Sequence, residues 1–224
     1  EKEAMATDSA DLQAFMPKAL ELQKKYPDAQ SILVSEESNN QHRADGSNLS
    51  RYRSISYIAK EEALWAAEVS VSFDPNRERV KVLHARCLHP DGSVHNLQPE
   101  QIKISKGTSG SVYFDQYQEL SFTIPEVAVG SIIDYCYETE EYNPFDPNLF
   151  QGRNYFQWSD PVGESILRVS VPSGKELHYV AYNCPPELGK PEKVNAVDSI
   201  IYTWKMADLA PVIPEPSMPP YRDV

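Results

Sequence analysis

Period-two alternation constrains this chain more than any other feature. Glu68-Val69-Ser70-Val71-Ser72-Phe73 alternates strictly between polar and apolar residues. Successive strand side chains point to opposite faces, so such a run buries one face and wets the other. Arg51-Tyr52-Arg53-Ser54-Ile55-Ser56-Tyr57-Ile58 alternates more loosely. Further strands are expected at Ser31–Ser35, Arg79–His89, Ile102–Ser105, Ser111–Phe114, Gln118–Ile124, Ser131–Glu140, Tyr155–Trp158, Ser165–Val171, Leu177–Tyr182 and Ile200–Lys205. Turn signals separate them. His89-Pro90-Asp91-Gly92-Ser93-Val94 is the clearest, because Asp-Gly tolerates the positive φ of a tight hairpin. The polar stretch 38–50 reads as a mobile turn. No strands alternate with long helices, which argues against a Rossmann or barrel fold. The expected fold is all-β: a large antiparallel β-sandwich with a short N-terminal helix.

That helix occupies residues 8–25, where Leu12, Phe15, Met16, Ala19 and Leu22 recur at helical spacing. Pro17 suits a first helical position, where its missing N–H costs nothing. Asp8 or Ser9 could cap an earlier turn. Lys24 and Lys25 suit the C-terminal end, and Pro27 stops the helix.

The other end of the chain cannot be regular structure. Five of its 18 prolines fall in Pro211–Pro220, and proline lacks the N–H that a helix or central strand needs. The segment reads as an extended tether. The expected organisation is a helical lead at 1–25, a β-sandwich domain at 26–208, and a Pro-rich linker at 209–224 towards a further domain. Glu1 is not an initiator methionine, so a trimmed start is expected too.

A chain of 224 residues is long enough for one sizeable core. Its 21 basic and 33 acidic residues give −12, a surface that repels phosphate backbones and anionic lipid, so neither nucleic acid nor membrane is an expected partner. It has no run of about 18 apolar residues, the length that reads as a membrane-spanning helix. Cys87, Cys136 and Cys184 are widely spaced, allow at most one bridge, and contain no CxxC pair. They read as small structural thiols. Cys136 on the otherwise polar Asp134/Cys136/Glu138 side of its strand is odd for one.

Several constellations have residue types that could carry chemistry. His84, His89 and His95 cluster around the Asp91-Gly92 hairpin and could ligate a metal, but a structural zinc site normally needs four ligands. A wet hairpin tip explains them better. Glu138 and Glu140 would share a strand face about 7 Å apart, a spacing compatible with carboxylate-driven hydrolysis. Acidic residues at a strand end are more often simply solvated. Lys106-Gly107-Thr108-Ser109-Gly110-Ser111 lacks the ending of a phosphate loop and reads as a hairpin connection. No metal and no cofactor are implied.

The strongest local anomaly is residues 142–158, with six aromatics: Tyr142, Phe145, Phe150, Tyr155, Phe156 and Trp158. Aromatics are enriched at interfaces. They either plug one end of the sandwich or form a docking surface for a following domain, a peptide or a glycan. Tyr142, Phe145, Phe150, Tyr155 and Trp158 are the candidate interaction surface.

Ordered pieces along most of the chain carry a resemblance. They are Lys25-Tyr26-Pro27-Asp28-Ala29, then Glu36-Glu37, Phe73-Asp74-Pro75, Pro90-Asp91-Gly92-Ser93-Val94 and Tyr113-Phe114-Asp115. Leu120-Ser121-Phe122-Thr123-Ile124-Pro125 and Val129-Gly130-Ser131-Ile132-Ile133-Asp134-Tyr135 come next. Phe156-Gln157, Pro161-Val162, Val171-Pro172-Ser173-Gly174, Tyr202-Thr203-Trp204 and Glu215-Pro216-Ser217-Met218-Pro219-Pro220 complete the set. The chain resembles an uncharacterised β-rich domain that precedes a transglutaminase-like domain in exported bacterial proteins. The resemblance implies an all-β fold, a periplasmic or envelope setting, and a downstream neighbour with a Cys-His-Asp triad. No residue here matches that triad, so the expected role is a non-catalytic accessory or interaction module. It would position the catalytic domain or its protein substrate. The alternatives are a carbohydrate-binding module using the aromatic loop, and a carboxylate-dependent hydrolase using Glu138 or Glu140.

Overall fold

The computed structural model describes residues 9–106 and 117–213. The expected strand Ser111–Phe114, most of the connection at 106–111 and the linker from residue 214 onward lie outside the described residues. So do Asp8 and the motifs Tyr113-Phe114-Asp115 and Glu215–Pro220.

The helical lead forms in two pieces, α1 (Ser9–Gln13) and α2 (Met16–Lys25). Pro17 sits in the first turn of α2, and Lys24 and Lys25 occupy its last turn. Eleven strands follow among the described residues: β1 (Ser31–His42), β2 (Asn48–Ile58), β3 (Glu68–Phe73), β4 (Glu78–Leu88), β5 (Val94–Asn96), β6 (Lys103–Lys106), β7 (Gln118–Thr123), β8 (Ile132–Glu141), β9 (Val162–Pro172), β10 (Glu192–Asn195) and β11 (Ser199–Leu209). Short 3-10 turns at Glu61–Ala67 and Pro99–Gln101 punctuate them.

The strands make a sandwich of unequal layers. An eight-stranded sheet runs in the order β10-β11-β9-β1-β2-β8-β4-β5, and a three-stranded sheet runs β3-β7-β6. All strand pairs are antiparallel except β1 with β9. That exception follows from connectivity. β8 and β9 run the same way, so residues 142–161 must cross back along the sheet, the long connection that parallel strands require.

Paired residues point to one face, so the large sheet has two distinct sides. On the sandwich side, Val69, Phe73, Leu120 and Phe122 of the small sheet pack against Ile58, Ala85, Cys87 and Ile133. On the helix side, Leu12, Ala19 and Leu22 cover Ile32, Ile55, Tyr57, Leu88 and Ile132. Gly163 lies where β9 meets β1, and a Cβ there would run into the Val34 carbonyl, so the close parallel pairing needs glycine. A third cluster, Val169, Val171, Tyr202 and Trp204, lies under Phe150 and Phe156 of the crossover.

Three expectations about elements need correction. Residues 38–50 are not a mobile turn: β1 runs to His42, β2 begins at Asn48, and only 43–47 turn. The polar residues there satisfy one another across strands, with Ser50 donating to Asn40 and Arg168 to Asn39. Tyr155–Trp158 belongs to the crossover and is not a strand; Phe156 packs on the large sheet instead of pairing at an edge. Leu177–Tyr182 is also irregular; Tyr179 packs edge-on against Trp204 at 5.2 Å.

Candidate functional site

The crossover 142–161 gathers the aromatic residues, and it splits them into two groups. At its start, the Tyr142 hydroxyl donates to the Pro75 carbonyl at 2.9 Å, and the Arg79 guanidinium covers the ring at 4.4 Å. Phe145 is 89% exposed, with Arg77 5.6 Å from its ring. Pro147 packs against Gly46 in the β1–β2 turn. Gly46 has φ of +88°, and an added Cβ would collide with Pro147. These contacts hold the start of the crossover to the hairpin end of the sheet.

The second group lies down on the sheet. Phe150 stands 5.5 Å from the His42 ring and, with Phe156, packs on Val169, Val171, Tyr202 and Trp204. Tyr155 and Trp158 are 5.8 Å apart. The Trp158 indole N–H donates to Glu36 Oε2 at 3.4 Å.

Glu36 is the anchor of this arrangement. It is 5% exposed. The Tyr52 hydroxyl donates to Oε1 at 2.7 Å and the Ser165 hydroxyl to Oε2 at 3.0 Å. Buried carboxylates persist only when hydrogen-bonded or paired, and here three neutral donors supply that need. Burial, then the neighbouring Tyr135 and Glu36, pushes the Tyr52 phenol far above its ordinary range. Tyr52 is therefore a fixed donor at physiological pH. Tyr137, 5.5 Å from Tyr52, is pushed up to about 12, mainly by burial.

The chain leaves the sandwich over this same anchor. After β11, the Val212 N–H donates to the Trp158 carbonyl at 2.8 Å, and the Gln157 amide donates to the Ala210 carbonyl at 2.7 Å. Glu36, Trp158 and Val212 thus form one line from sheet to crossover to exit.

The helix side carries a denser charge cluster. Asp134 is fully buried. Arg53 grips it with Nε on Oδ1 at 2.9 Å and Nη2 on Oδ2 at 3.0 Å. Arg86 Nε donates to Oδ2 at 2.9 Å, and His84 Nε2 lies 3.0 Å from Oδ1. Burial alone would raise the Asp134 carboxyl, but the hydrogen bonds from His84 and Arg53 outweigh it and hold it well below the usual range. Cys136 sits between its cross-strand partners Arg53 and His84 and is buried, which accounts for a thiol on this polar side. Burial raises its thiol to about 11 despite the adjacent Arg51 and Arg53. Cys87 is likewise raised by burial. Nucleophilic cysteines are tuned in the opposite direction.

Glu138 and Glu140 do share a face, but each is engaged by arginine. Arg51 Nη2 meets Glu138 at 2.6 Å and Arg43 Nη1 meets Glu140 at 2.9 Å. The hairpin brings the His89 and His95 rings to 6.0 Å, and the Ser93 hydroxyl is 2.7 Å from His95. Among the described residues, no three His, Cys, Asp or Glu side chains converge in a metal-holding arrangement. No helix among them is long and apolar enough to cross a membrane. Sequence reasoning missed Glu36, Tyr52, Ser165 and the Asp134 hub. The available signal was a carboxylate at an inward position of an alternating strand, as at Asp134 between Ile133 and Tyr135.

Residues 44–213 match a domain of unknown function with a solved structure, DUF3857. No curated protein matches the chain. A crystal structure of a candidate protease from Parabacteroides distasonis has the same fold, with TM-score 0.77 at 16% identity, over 86% of this chain and 38% of that one. The chain therefore spans well under half of that relative. A CBM3a-L domain from a Clostridium thermocellum cellulosome scaffoldin aligns with TM-score 0.31 at 14% identity, over 58% of this chain and 82% of that one. An M1 zinc metallopeptidase from Deinococcus radiodurans gives 0.32 at 11%, over 79% and 39%. Alignments that loose carry no argument.

Proposed function

The chain belongs to the DUF3857 family, and from that premise we propose that it is a non-catalytic accessory module of a larger transglutaminase-like envelope polypeptide. In this role it orients the catalytic part, or that part's protein substrate, in the periplasm or at the cell envelope. The observation that carries this reading is the clamped exit. Val212 is bonded to Trp158, and Trp158 is bonded to the buried Glu36. A sandwich that merely precedes a free tether has no need to grip the chain as it leaves. A gripped exit transmits a fixed direction to whatever follows.

Two further facts support it. The fold occupies 38% of the Parabacteroides distasonis candidate protease, so there it is one part of a longer chain. The two buried thiols are raised, and Glu138 and Glu140 are held by arginines, so none of them has the environment of a catalytic nucleophile or acid. The aromatic-loop glycan reading is weaker. Phe156 packs on the sheet, the Trp158 indole N–H is bonded to Glu36, and arginines sit over Tyr142 and Phe145.

The test is made on the complete natural polypeptide. Trp158→Ala is expected to lower peptide hydrolysis or transamidation and to broaden the separation of labels placed before and after residue 213. Unchanged activity together with an unchanged label distribution would defeat the proposal.

A further inference from the structure

A polar cleft on the sandwich side takes no part in the exit clamp. It lies at the β1–β2 hairpin end, between the crossover and β4, with a volume of about 190 Å³. Two cross-strand rows floor it. Asn40, Ser50 and Thr139 are successive partners on β1, β2 and β8. One step along, Asn48, Glu141 and Glu78 are successive partners on β2, β8 and β4. Phe150 lines the crossover side.

Internal bonds hold these groups in place. Asn40 Oδ1 accepts from Ser50 at 2.6 Å, and Asn48 Nδ2 donates to Glu141 Oε2 at 2.7 Å. His42 Nδ1 is 2.8 Å from Asn48 Oδ1, and Glu78 Oε2 accepts the Asp74 N–H at 2.9 Å. Each carboxylate keeps spare lone pairs and each amide nitrogen a second hydrogen. The cleft is therefore a preset mixture of donors and acceptors beside one aromatic ring.

Charge and size decide what fits. Two carboxylates repel an anion. A divalent cation gains little from Glu141, which Arg77 already meets at 3.2 Å. An apolar ligand would strip water from polar groups without replacing it. A neutral polyol satisfies every requirement: its hydroxyls donate to the carboxylates, accept from the amides, and leave a C–H face for the ring. A cleft of about 190 Å³ has room for one small ring and not for a longer chain.

We propose that this cleft is a subsite for one neutral pyranose residue of an oligosaccharide, with Glu78 and Glu141 accepting hydroxyls, Asn40 and Asn48 donating, and Phe150 stacking. Of the crossover aromatics the site uses Phe150 alone, and it stands whether or not the accessory role holds.

The experiment is saturation-transfer NMR of the 224-residue chain with cellotetraose, maltotetraose and chitotetraose. It is paired with the side-chain amide resonances of Asn40 and Asn48. At least one oligomer should receive saturation and shift both amides. Thr139→Trp, which fills the floor, should weaken binding at least tenfold, while Phe145→Ala should leave it unchanged. Silence from all three oligomers overturns the proposal, as does binding undiminished in a folded Thr139→Trp protein. Amide shifts produced by calcium or oligogalacturonate, but by none of the neutral oligomers, overturn it too. If Thr139→Trp does not fold, the wild-type amide shifts decide the matter alone.

Discussion

The backbone N–H of Val212 donates to the carbonyl of Trp158 across 2.8 Å. The stretch after β11 is therefore bonded to the crossover at Val212 and Ala210. Trp158 in turn reaches Oε2 of the Glu36 carboxylate, which Ser165 also holds at Oε2 and Tyr52 holds at Oε1.

Removing the anchor should loosen the exit. Glu36→Ala strands the Tyr52 and Ser165 hydroxyls and frees the indole, at a cost of about 1–3 kcal/mol. The Val212 amide should then exchange with solvent at least tenfold faster. Native-state hydrogen exchange measures both the loss and its location.

Asp134 is the charge hub of the helix side. Asp134→Ala leaves Arg53, Arg86 and His84 facing one another without an anion, a change worth about 3–5 kcal/mol. The pH dependence has a definite sign. A carboxyl depressed in the folded state adds stability above its unfolded value of about 3.9 and loses it as pH falls through the lower folded value. Urea midpoints should fall between about pH 4 and pH 2 in the wild type. The fall should be shallower in the variant.

The three thiols should separate by burial. Cys184 is half-buried, while Cys87 and Cys136 are buried. With Cys136 raised to about 11, roughly one molecule in a thousand carries its thiolate at pH 8. Ellman's reagent should titrate Cys184 promptly in the native protein and reach Cys87 and Cys136 only after denaturant is added.

Gly46 and Gly92 offer a matched pair. Both have φ near +90°, at +88° and +89°. A Cβ at Gly92 meets open space, whereas one at Gly46 collides with Pro147. Gly92→Ala should show only backbone strain, about 1 kcal/mol. Gly46→Ala should lose more and should also raise proteolysis of the crossover, readable as a lower Tm and an early cleavage near Pro147.

Some of this architecture was legible from residue order alone. Strict alternation marked β3, and Asp91-Gly92 marked the β4–β5 hairpin, because both signals are local. The helix and its Pro17 start were equally readable. What failed was non-local. Asn39, Asn40 and Gln41 look like turn residues until β2 and β9 flank them and side-chain bonds across strands absorb their polarity. The crossover aromatics were visible as a cluster. Their division between the sheet and the hairpin end depends on where β9 begins, which no local pattern states. Glu36 was hidden for the same reason: its three donors come from β2, β9 and the crossover.

The central claim is that this sandwich orients chemistry done elsewhere. The direct measurement is turnover by the purified 224-residue chain, with peptide and amine acceptor supplied, before and after Cys136→Ser and Glu138→Gln. The account predicts no turnover above buffer in any of the three proteins. Turnover by the unaltered chain that either substitution abolishes, in a protein that remains folded, would contradict it.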